Sequence, residues 1–388
     1  MKKIRLALVI DTVATNAAGT EQQLLKVVQG LDKGRFEVEL LCLRRHAWLD
    51  AHAGTVGCPV TVFDVGSMRR LKTIGSFLEL ARYMRKSRFD VVHTFFPVAN
   101  ILGVLAARLA GVCAIVSSRR DYGEWMTGPY LAATRLANRF VTRVLTNGSR
   151  VKELTVRVEG IKPELVEVIR NGIDVAKYAG YPPDAGLRTR LGVSATSKLV
   201  GKVANFRPMK HHAVLVRAAA EVLRARDDVD FLLIGATTAD AEGTRLRDEV
   251  VALARELGVE GRIHLVGGQS DVRPFLSIMD VGVNCSEGEG LSNAIMEYMA
   301  SGVACVVSDS GGNPDLVEDR QTGRLFALDD HKALAGILLE MLENNALRRD
   351  LADRARRRLE QEMGMEVMLR RFRGFYEGVL GGPASWSA

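Results

Sequence analysis

Glu289-Gly290-Leu291-Ser292-Asn293-Ala294-Ile295-Met296-Glu297, with Ala300-Ser301-Gly302 close behind, is the stretch from which the rest of the chain can be read. The apolar residues 280–285 just before it predict a buried strand, and 286–290 the loop leaving that strand. Ser292 or Asn293 then stands where a helix cap is needed, ahead of Ala294, Ile295, Met296, Tyr298, Met299 and Ala300. A strand, a glycine loop and a helix N-terminus in that order form an anion site. The first N–H groups of the helix lack internal partners, and the helix dipole favours negative charge there. Glu289 in the loop and Glu297, about two turns into the helix, bracket that site. A carboxylate beside a phosphate would repel it, so both glutamates are expected to hold hydroxyl groups. Phosphate flanked by polyol points to a sugar nucleotide.

Glu289 and Glu297 lie within E-G-L-S-N-A-I-M-E-Y-M-A-S-G, followed by a predicted strand at 303–308 and then Gly311-Gly312-Asn313-Pro314-Asp315-Leu316-Val317. Two glutamates at that spacing occur by chance in many helical proteins; the flanking residues make the pattern specific. It resembles the retaining glycosyltransferases of family 4, and the resemblance runs over nearly the whole chain. It implies the GT-B fold: α/β, with two Rossmann-like domains whose parallel sheets face one another across a cleft.

The resemblance also implies roles. Glu297 would hold the ribose hydroxyls of a nucleotide-sugar donor, and Glu289 the hydroxyls of its sugar. Gly290, Leu291, Ser292 and Asn293 would form the loop and helix start that receive the donor. Ala204-Asn205-Phe206-Arg207-Pro208-Met209-Lys210 follows the first strand of the second half. There Lys210 matches the family's diphosphate-binding lysine, while Asn205 stands at the usual arginine position and Arg207 lies between them as a substitute. Gly235 ends one strand, and Val266 lies in the strand whose backbone would receive the base. Gly19, in Ala17-Ala18-Gly19-Thr20-Glu21, keeps one of the family's two loop glycines, with Ala18 replacing the other. On the acceptor side, Asp90-Val91-Val92-His93-Thr94-Phe95 places a histidine two residues before the family's position, which here is Phe95; His93 reads more readily as a strand residue. Arg119 and Arg120 emerge at another strand's carboxyl end, where either could meet an anionic acceptor.

The implied activity is hexosyl transfer from a nucleotide sugar (a UDP-sugar first, a GDP-sugar second) to a glycan or lipid-linked acceptor, in cell-surface polysaccharide or glycolipid synthesis. No cofactor or metal is expected, because cations and a helix dipole meet the charge of the leaving diphosphate. A sugar-nucleotide epimerase of the same fold and a non-catalytic sugar-nucleotide-binding protein remain alternatives. Strands not followed by G-x-G-x-x-G disfavour nicotinamide or flavin chemistry.

Composition agrees with a two-domain globular chain: 388 residues, 47% hydrophobic and 26% charged. No apolar run nears the ~20 residues of a membrane span. The basic start Met1-Lys2-Lys3-Ile4-Arg5 precedes only 6–10 before Asp11, too short for a secretory leader, so a cytoplasmic location is expected. The cysteines, Cys42, Cys58, Cys113, Cys285 and Cys305, are odd in number and lack metal spacing, which predicts free thiols.

Charge is unevenly placed. Residues 1–180 hold 27 basic and 16 acidic side chains, against 26 and 30 in the remainder. An anionic partner for the first half follows: membrane lipid, a lipid-linked pyrophosphate acceptor or nucleic acid. The resemblance leaves out nucleic acid. The densest basic run is Met68-Arg69-Arg70-Leu71-Lys72 through Arg82-Tyr83-Met84-Arg85-Lys86-Ser87-Arg88. It reads equally as a helix lying peripherally on the inner face of an anionic membrane or as a solvated helix packed on the sheet.

Apolar strands predicted at 4–10, 35–43, 60–65, 90–94, 114–118, 141–146 and 166–169 alternate with helices at 21–31, 71–86 and 99–110. After a turn at 170–174 and a proline-rich stretch at 181–186, the pattern restarts with strands at 198–204, 231–234, 263–266, 281–285 and 304–307. The expected domains are 1–180 and 181–362. A final helix at 363–380 is predicted after one at 332–358. Residues 363–388 are expected to return to the first domain through Phe372, Phe375 and Tyr376.

Overall fold

The computed structural model describes residues 2–15, 19–65, 72–123, 128–182, 184, 186–237 and 241–381. Two compact units result, one of Met1–Gly172 with Glu366–Ala388 and one of Ile173–Met365. Ala17, Ala18, Arg69, Arg70 and Leu71, which carry parts of the glycine-loop and basic-run expectations, lie outside the described residues.

The first unit is a parallel sheet of β1 (Ile4–Ile10), β2 (Phe36–Cys42), β3 (Val60–Val62), β4 (Val91–Phe95), β5 (Ala114–Arg119), β6 (Arg143–Thr146) and β7 (Val166–Val168). Its order is β3-β2-β1-β4-β5-β6-β7, so the direction of winding reverses between β1 and β4. In such a sheet the crevice at the carboxyl ends beside that reversal is where ligands bind. Ala7, Val9, Val92 and Ile115 on the strands pack with Leu80 and Met84 of the helix Lys72–Ser87 and with Val104 and Ala107 of the helix Val104–Ala110. The remaining face of Lys72–Ser87 exposes Arg82, Arg85, Lys86 and Ile74, the last 57% exposed. Packing on the sheet and an exposed basic face thus coexist on one helix.

The second unit repeats the plan with β8 (Lys198–Val203), β9 (Val229–Ile234), β10 (Ile263–Gly267), β11 (Val281–Asn284), β12 (Ala304–Ser308) and β13 (Arg324–Phe326), in the order β10-β9-β8-β11-β12-β13. Neighbouring residues of β8 serve opposite layers, as a doubly covered strand requires. Val200 packs with Val216, Ala219, Leu334 and Leu338, whereas Leu199 packs with Ile295, Met299 and Leu359. The reversal falls between β8 and β11, the strands that carry the loops of Lys210 and Glu289.

Two boundaries differ from expectation. The expected helix 332–358 is two, His331–Glu343 and Asn345–Met363, because Asn344 leaves helical geometry and caps the second through Leu347 N at 2.9 Å. The units part at Gly172 rather than at 180. Gln23 exchanges two 3.1 Å hydrogen bonds with the Gly172 backbone, holding it in the first unit, while Ile173, Val175 and Tyr178 join the second core. The helix Met365–Leu380 belongs to the first unit, where Phe372, Phe375 and Tyr376 are buried and Tyr376 meets Phe36 edge-on at 6.1 Å. All five cysteines are free; Cys42, Cys285 and Cys305 are buried, while Cys113 is exposed. Among the described residues no helix is long and apolar enough to cross a membrane.

Candidate functional site

At the carboxyl end of β8 the chain turns through Ala204 to Arg207, makes a single helical turn at Pro208–Lys210, and enters the helix His212–Ala225. The entry bends through His211, whose φ of 47° lies in the left-handed region. His211 pins the bend from both sides, Nδ1 lying 2.7 Å from Asp329 Oδ1 and Nε2 3.3 Å from Glu287 Oε2. A further backbone bond, Glu287 N to Met209 O at 2.8 Å, ties this turn to the loop after β11. That coupling carries Lys210 Nζ onto the Glu289 carboxylate as an ion pair, both side chains being largely buried.

The lysine's surroundings work against its charge. Burial, followed by the neighbouring cations Lys202 and Arg207, pushes the Lys210 ammonium down to about 7, against the ion pair with Glu289, which favours the charged form. Lys202, buried in β8, had no place among the sequence-based candidates, and burial lowers its ammonium as well. The visible signal was a lysine inside the otherwise apolar 199–203. Arg207 is exposed close to Lys210. Asn205, at the family's arginine position, instead accepts a 2.9 Å bond from Ala236 N and so joins the ends of β8 and β9. Gly235 allows the same approach: a Cβ there would lie 1.9 Å from Ala204 O. Val266 lies in β10, its carbonyl accepting Gln269 Nε2 at 3.2 Å.

The Glu289 loop is held by main chain. Gly312 N donates to Glu289 O at 2.8 Å, and a Cβ on Gly312 would sit 1.6 Å from Gly290 O. Asn313 ties the same segment to Ser308 and Ser286. Gly290, Leu291 and Ser292 are buried, and the helix Asn293–Ser301 starts directly behind them. Ser292 occupies the cap position but does not cap: its Oγ accepts Asn284 Nδ2 at 3.0 Å. The expected serine cap is thus corrected. Glu297, half-buried in this helix, accepts Tyr178 OH at 3.3 Å. Burial first, then Glu297, raises the Tyr178 hydroxyl well above its ordinary value, which keeps it a donor.

The candidates of the first unit separate. Gly19 opens the helix Gly19–Gly30. His93 is fully buried, with Nδ1 2.7 Å from Tyr376 OH and Nε2 2.7 Å from Ser118 Oγ. Burial and the nearby Arg120 hold its imidazole well below the usual range. With both nitrogens engaged inside the core, it drops out as an acceptor-side group. Arg119 drops out too. Its guanidinium is buried against Glu159 at 2.6 and 2.8 Å, with further bonds to Ser117, Ser118 and Asn138. Arg120 alone is half-exposed there, bonded through its side chain to Asn171. Among the described residues no group of three or more His, Cys, Asp and Glu could hold a metal ion.

Comparison with known proteins places this geometry. A family model described as Glycosyltransferase Family 4 matches residues 17–177, and one described as Glycosyl transferases group 1 matches residues 187–358. The UDP-Gal:alpha-D-GlcNAc-diphosphoundecaprenol alpha-1,3-galactosyltransferase of Escherichia coli is 25% identical over 342 residues, 85% of this chain and 86% of that one. The phosphatidyl-myo-inositol mannosyltransferase of Mycolicibacterium smegmatis is 26% identical over 356 residues, 88% and 86% of the two chains. The crystal structure of Anabaena Alr3699/HepE in complex with UDP superposes with a TM-score of 0.86 over 97% of this chain and 100% of that one, at 22% identity, a likeness of fold.

Proposed function

Because the chain belongs to the group 1 glycosyltransferases of family 4, with the GT-B fold, we propose that it transfers a hexosyl group, with retention, from a UDP-sugar to a lipid-linked or glycan acceptor. The observation that carries the reading is the contact of Lys210 with Glu289 ahead of the helix Asn293–Ser301. It sets a cation for phosphate beside a carboxylate for sugar hydroxyls, at the reversal point of the sheet. UDP is favoured as the donor nucleotide because the galactosyltransferase is named for a UDP-sugar and the Anabaena protein was crystallised with UDP. A lipid-linked acceptor is favoured because the two relatives are named for a diphosphoundecaprenol-linked sugar and a phosphatidylinositol.

In the reaction the bond from the anomeric carbon to the diphosphate oxygen breaks, and its electron pair leaves with the diphosphate. Lys210, Arg207 and the N–H groups at the start of Asn293–Ser301 stabilise the charge as it develops. Glu297 holds the ribose hydroxyls and Glu289 those of the sugar. The acceptor oxygen attacks the same face of the anomeric carbon, and its proton passes to the departing phosphate. These cations and the helix dipole make a divalent ion unnecessary. The exposed basic face of Lys72–Ser87 would hold the protein peripherally on the inner, anionic surface of a membrane.

The test is a transfer assay over UDP- and GDP-sugars, with and without chelator. Nucleoside diphosphate release that depends on acceptor and persists in chelator is expected. Sugar conversion without nucleotide release would indicate an epimerase, and tight donor binding with neither would indicate a binding protein. Strict dependence on added Mg²⁺ or Mn²⁺ would refute the metal-free step.

A further inference from the structure

At the carboxyl ends of β4 and β5, beside the reversal point of the first sheet, Phe96, Pro97, Asn100, Ser118, Arg120 and Asp121 help line a small hollow that opens to solvent. Most polar groups around it are already engaged. Asn100 accepts Thr94 Oγ1 at 2.7 Å and donates to Ser118 O at 2.8 Å, and Ser118 Oγ meets His93. Asp121 Oδ1 accepts Gly123 N at 2.9 Å.

Arg120 differs from all of these, and most clearly from its neighbour. Arg119 is buried against a carboxylate that matches its guanidinium with two bonds. The Arg120 side chain bonds only the amide oxygen of Asn171 among the described residues, and a neutral amide leaves its charge uncompensated. Burial pushes its guanidinium down to about 10, opposed by Tyr376, with no carboxylate among the described residues contributing. A half-buried cation without a counter-charge is costly to keep. An anion entering the hollow would offset that cost, and the fork of guanidinium N–H groups matches phosphate oxygens. The donor's diphosphate already has Lys210 and Arg207, in the other unit. The basic excess of residues 1–180 would draw a second anion to this one.

We propose that Arg120 and the hollow around it form a subsite for a phosphate or diphosphate group of the acceptor, so that the enzyme glycosylates a phosphate-bearing carrier rather than a neutral sugar. This rests on the glycosyltransferase reading and narrows its acceptor. Arg120 binds and orients the acceptor through its phosphate; it takes no part in bond breaking.

The test uses the full chain saturated with UDP, so that the cations of the second unit are occupied, titrated with inorganic pyrophosphate in a calorimeter. One further pyrophosphate should bind, at least tenfold more weakly in Arg120→Gln and with partial recovery in Arg120→Lys, while UDP affinity stays the same in all three. No binding to the UDP-loaded wild type, or equal binding in Arg120→Gln, overturns the proposal. A short-chain prenyl diphosphate should compete with the pyrophosphate, and phosphatidylglycerol vesicles should not. Competition by the vesicles alone would assign the site to a membrane headgroup and overturn the acceptor assignment. In transfer assays, Arg120→Gln should raise KM at least tenfold for a prenyl-diphosphate-linked sugar and leave an alkyl glycoside unchanged. An equal effect on both acceptors would reveal a merely structural arginine. Pyrophosphate binding that requires Arg120, in a protein that transfers no sugar from any donor, would instead sink the glycosyltransferase reading and leave the anion site standing.

Discussion

Replacing Lys210 by alanine should cost diphosphate affinity in a way that depends on pH, and the dependence follows from the lysine's surroundings. A charge-assisted hydrogen bond contributes about 1.5–3 kcal/mol, so at pH 6 UDP should bind the wild type roughly ten- to 150-fold more tightly than Lys210→Ala. Burial beside Lys202 and Arg207 pushes the free-state ammonium down to about 7, against the ion pair with Glu289. Binding of the diphosphate favours the charged form, so the complex takes up a proton whenever the free lysine is neutral. Below pH 7 no proton need be taken up and the full advantage is present. Above it, each pH unit removes about 1.4 kcal/mol until the charge's contribution is exhausted, so by pH 8.5 a roughly tenfold advantage is gone and a roughly 150-fold one has fallen by about 30-fold. The assay is calorimetric titration with UDP from pH 6 to 8.5, read as the ratio of wild-type to Lys210→Ala affinity. UDP's own phosphate ionisation, shared by both proteins, cancels in that ratio. A ratio constant across the range would show that Lys210 stays charged and that Glu289 outweighs the burial. A ratio of one throughout would remove Lys210 from the diphosphate site.

Glu289→Gln should abolish transfer while UDP affinity changes by no more than a few-fold at pH 6, since Lys210 loses both a competing carboxylate and the partner that favours its charge; a wild-type kcat would refute the sugar-binding role. Gly312→Ala drives a Cβ against the Gly290 carbonyl, 1.6 Å away, and must shift the Glu289 loop. Transfer should fall about a hundredfold, as an ångström of misplacement can cause, with UDP affinity and circular dichroism nearly unchanged; near-normal turnover would show that the loop is not the positioning element. Arg119→Met should cost about 3–5 kcal/mol of stability by leaving buried Glu159 unpaired. The drop in Tm should be largely recovered in the double variant with Glu159→Leu; a small drop in the single variant would reopen Arg119 as a ligand group. Reversing Arg82, Arg85 and Lys86 to glutamate should weaken binding to anionic vesicles by about 1 kcal/mol per residue at low salt. Unchanged sedimentation with vesicles would leave the basic excess without a membrane role.

The alternation of apolar runs with helical spacing, restarting near residue 198, was enough to specify two doubly wound parallel sheets, because burial on both faces writes itself into four to eight consecutive apolar residues. The loop with Glu289 and the turn with Lys210 were equally legible, since each stands at a strand's carboxyl end where the order of the sheet reverses. Local sequence could not say which neighbours a side chain finds across the fold. Arg119 and Arg120 are adjacent and identical in type, yet one meets Glu159, 40 residues away, and the other, among the described residues, only an amide. His93 read as ambiguous until Tyr376, 283 residues later in the chain, closed over its ring. Ser292 looked like a helix cap, but its hydroxyl went to Asn284 on the preceding strand. Lys202 lay hidden in an apolar strand, although its charge weighs on Lys210. Periodicity and loop chemistry are local, so the sequence alone determined the architecture and the donor-side candidates. Charge compensation and hydrogen-bond partnership are settled between residues far apart in the chain, so only the tertiary structure decided which cations remain free for a ligand.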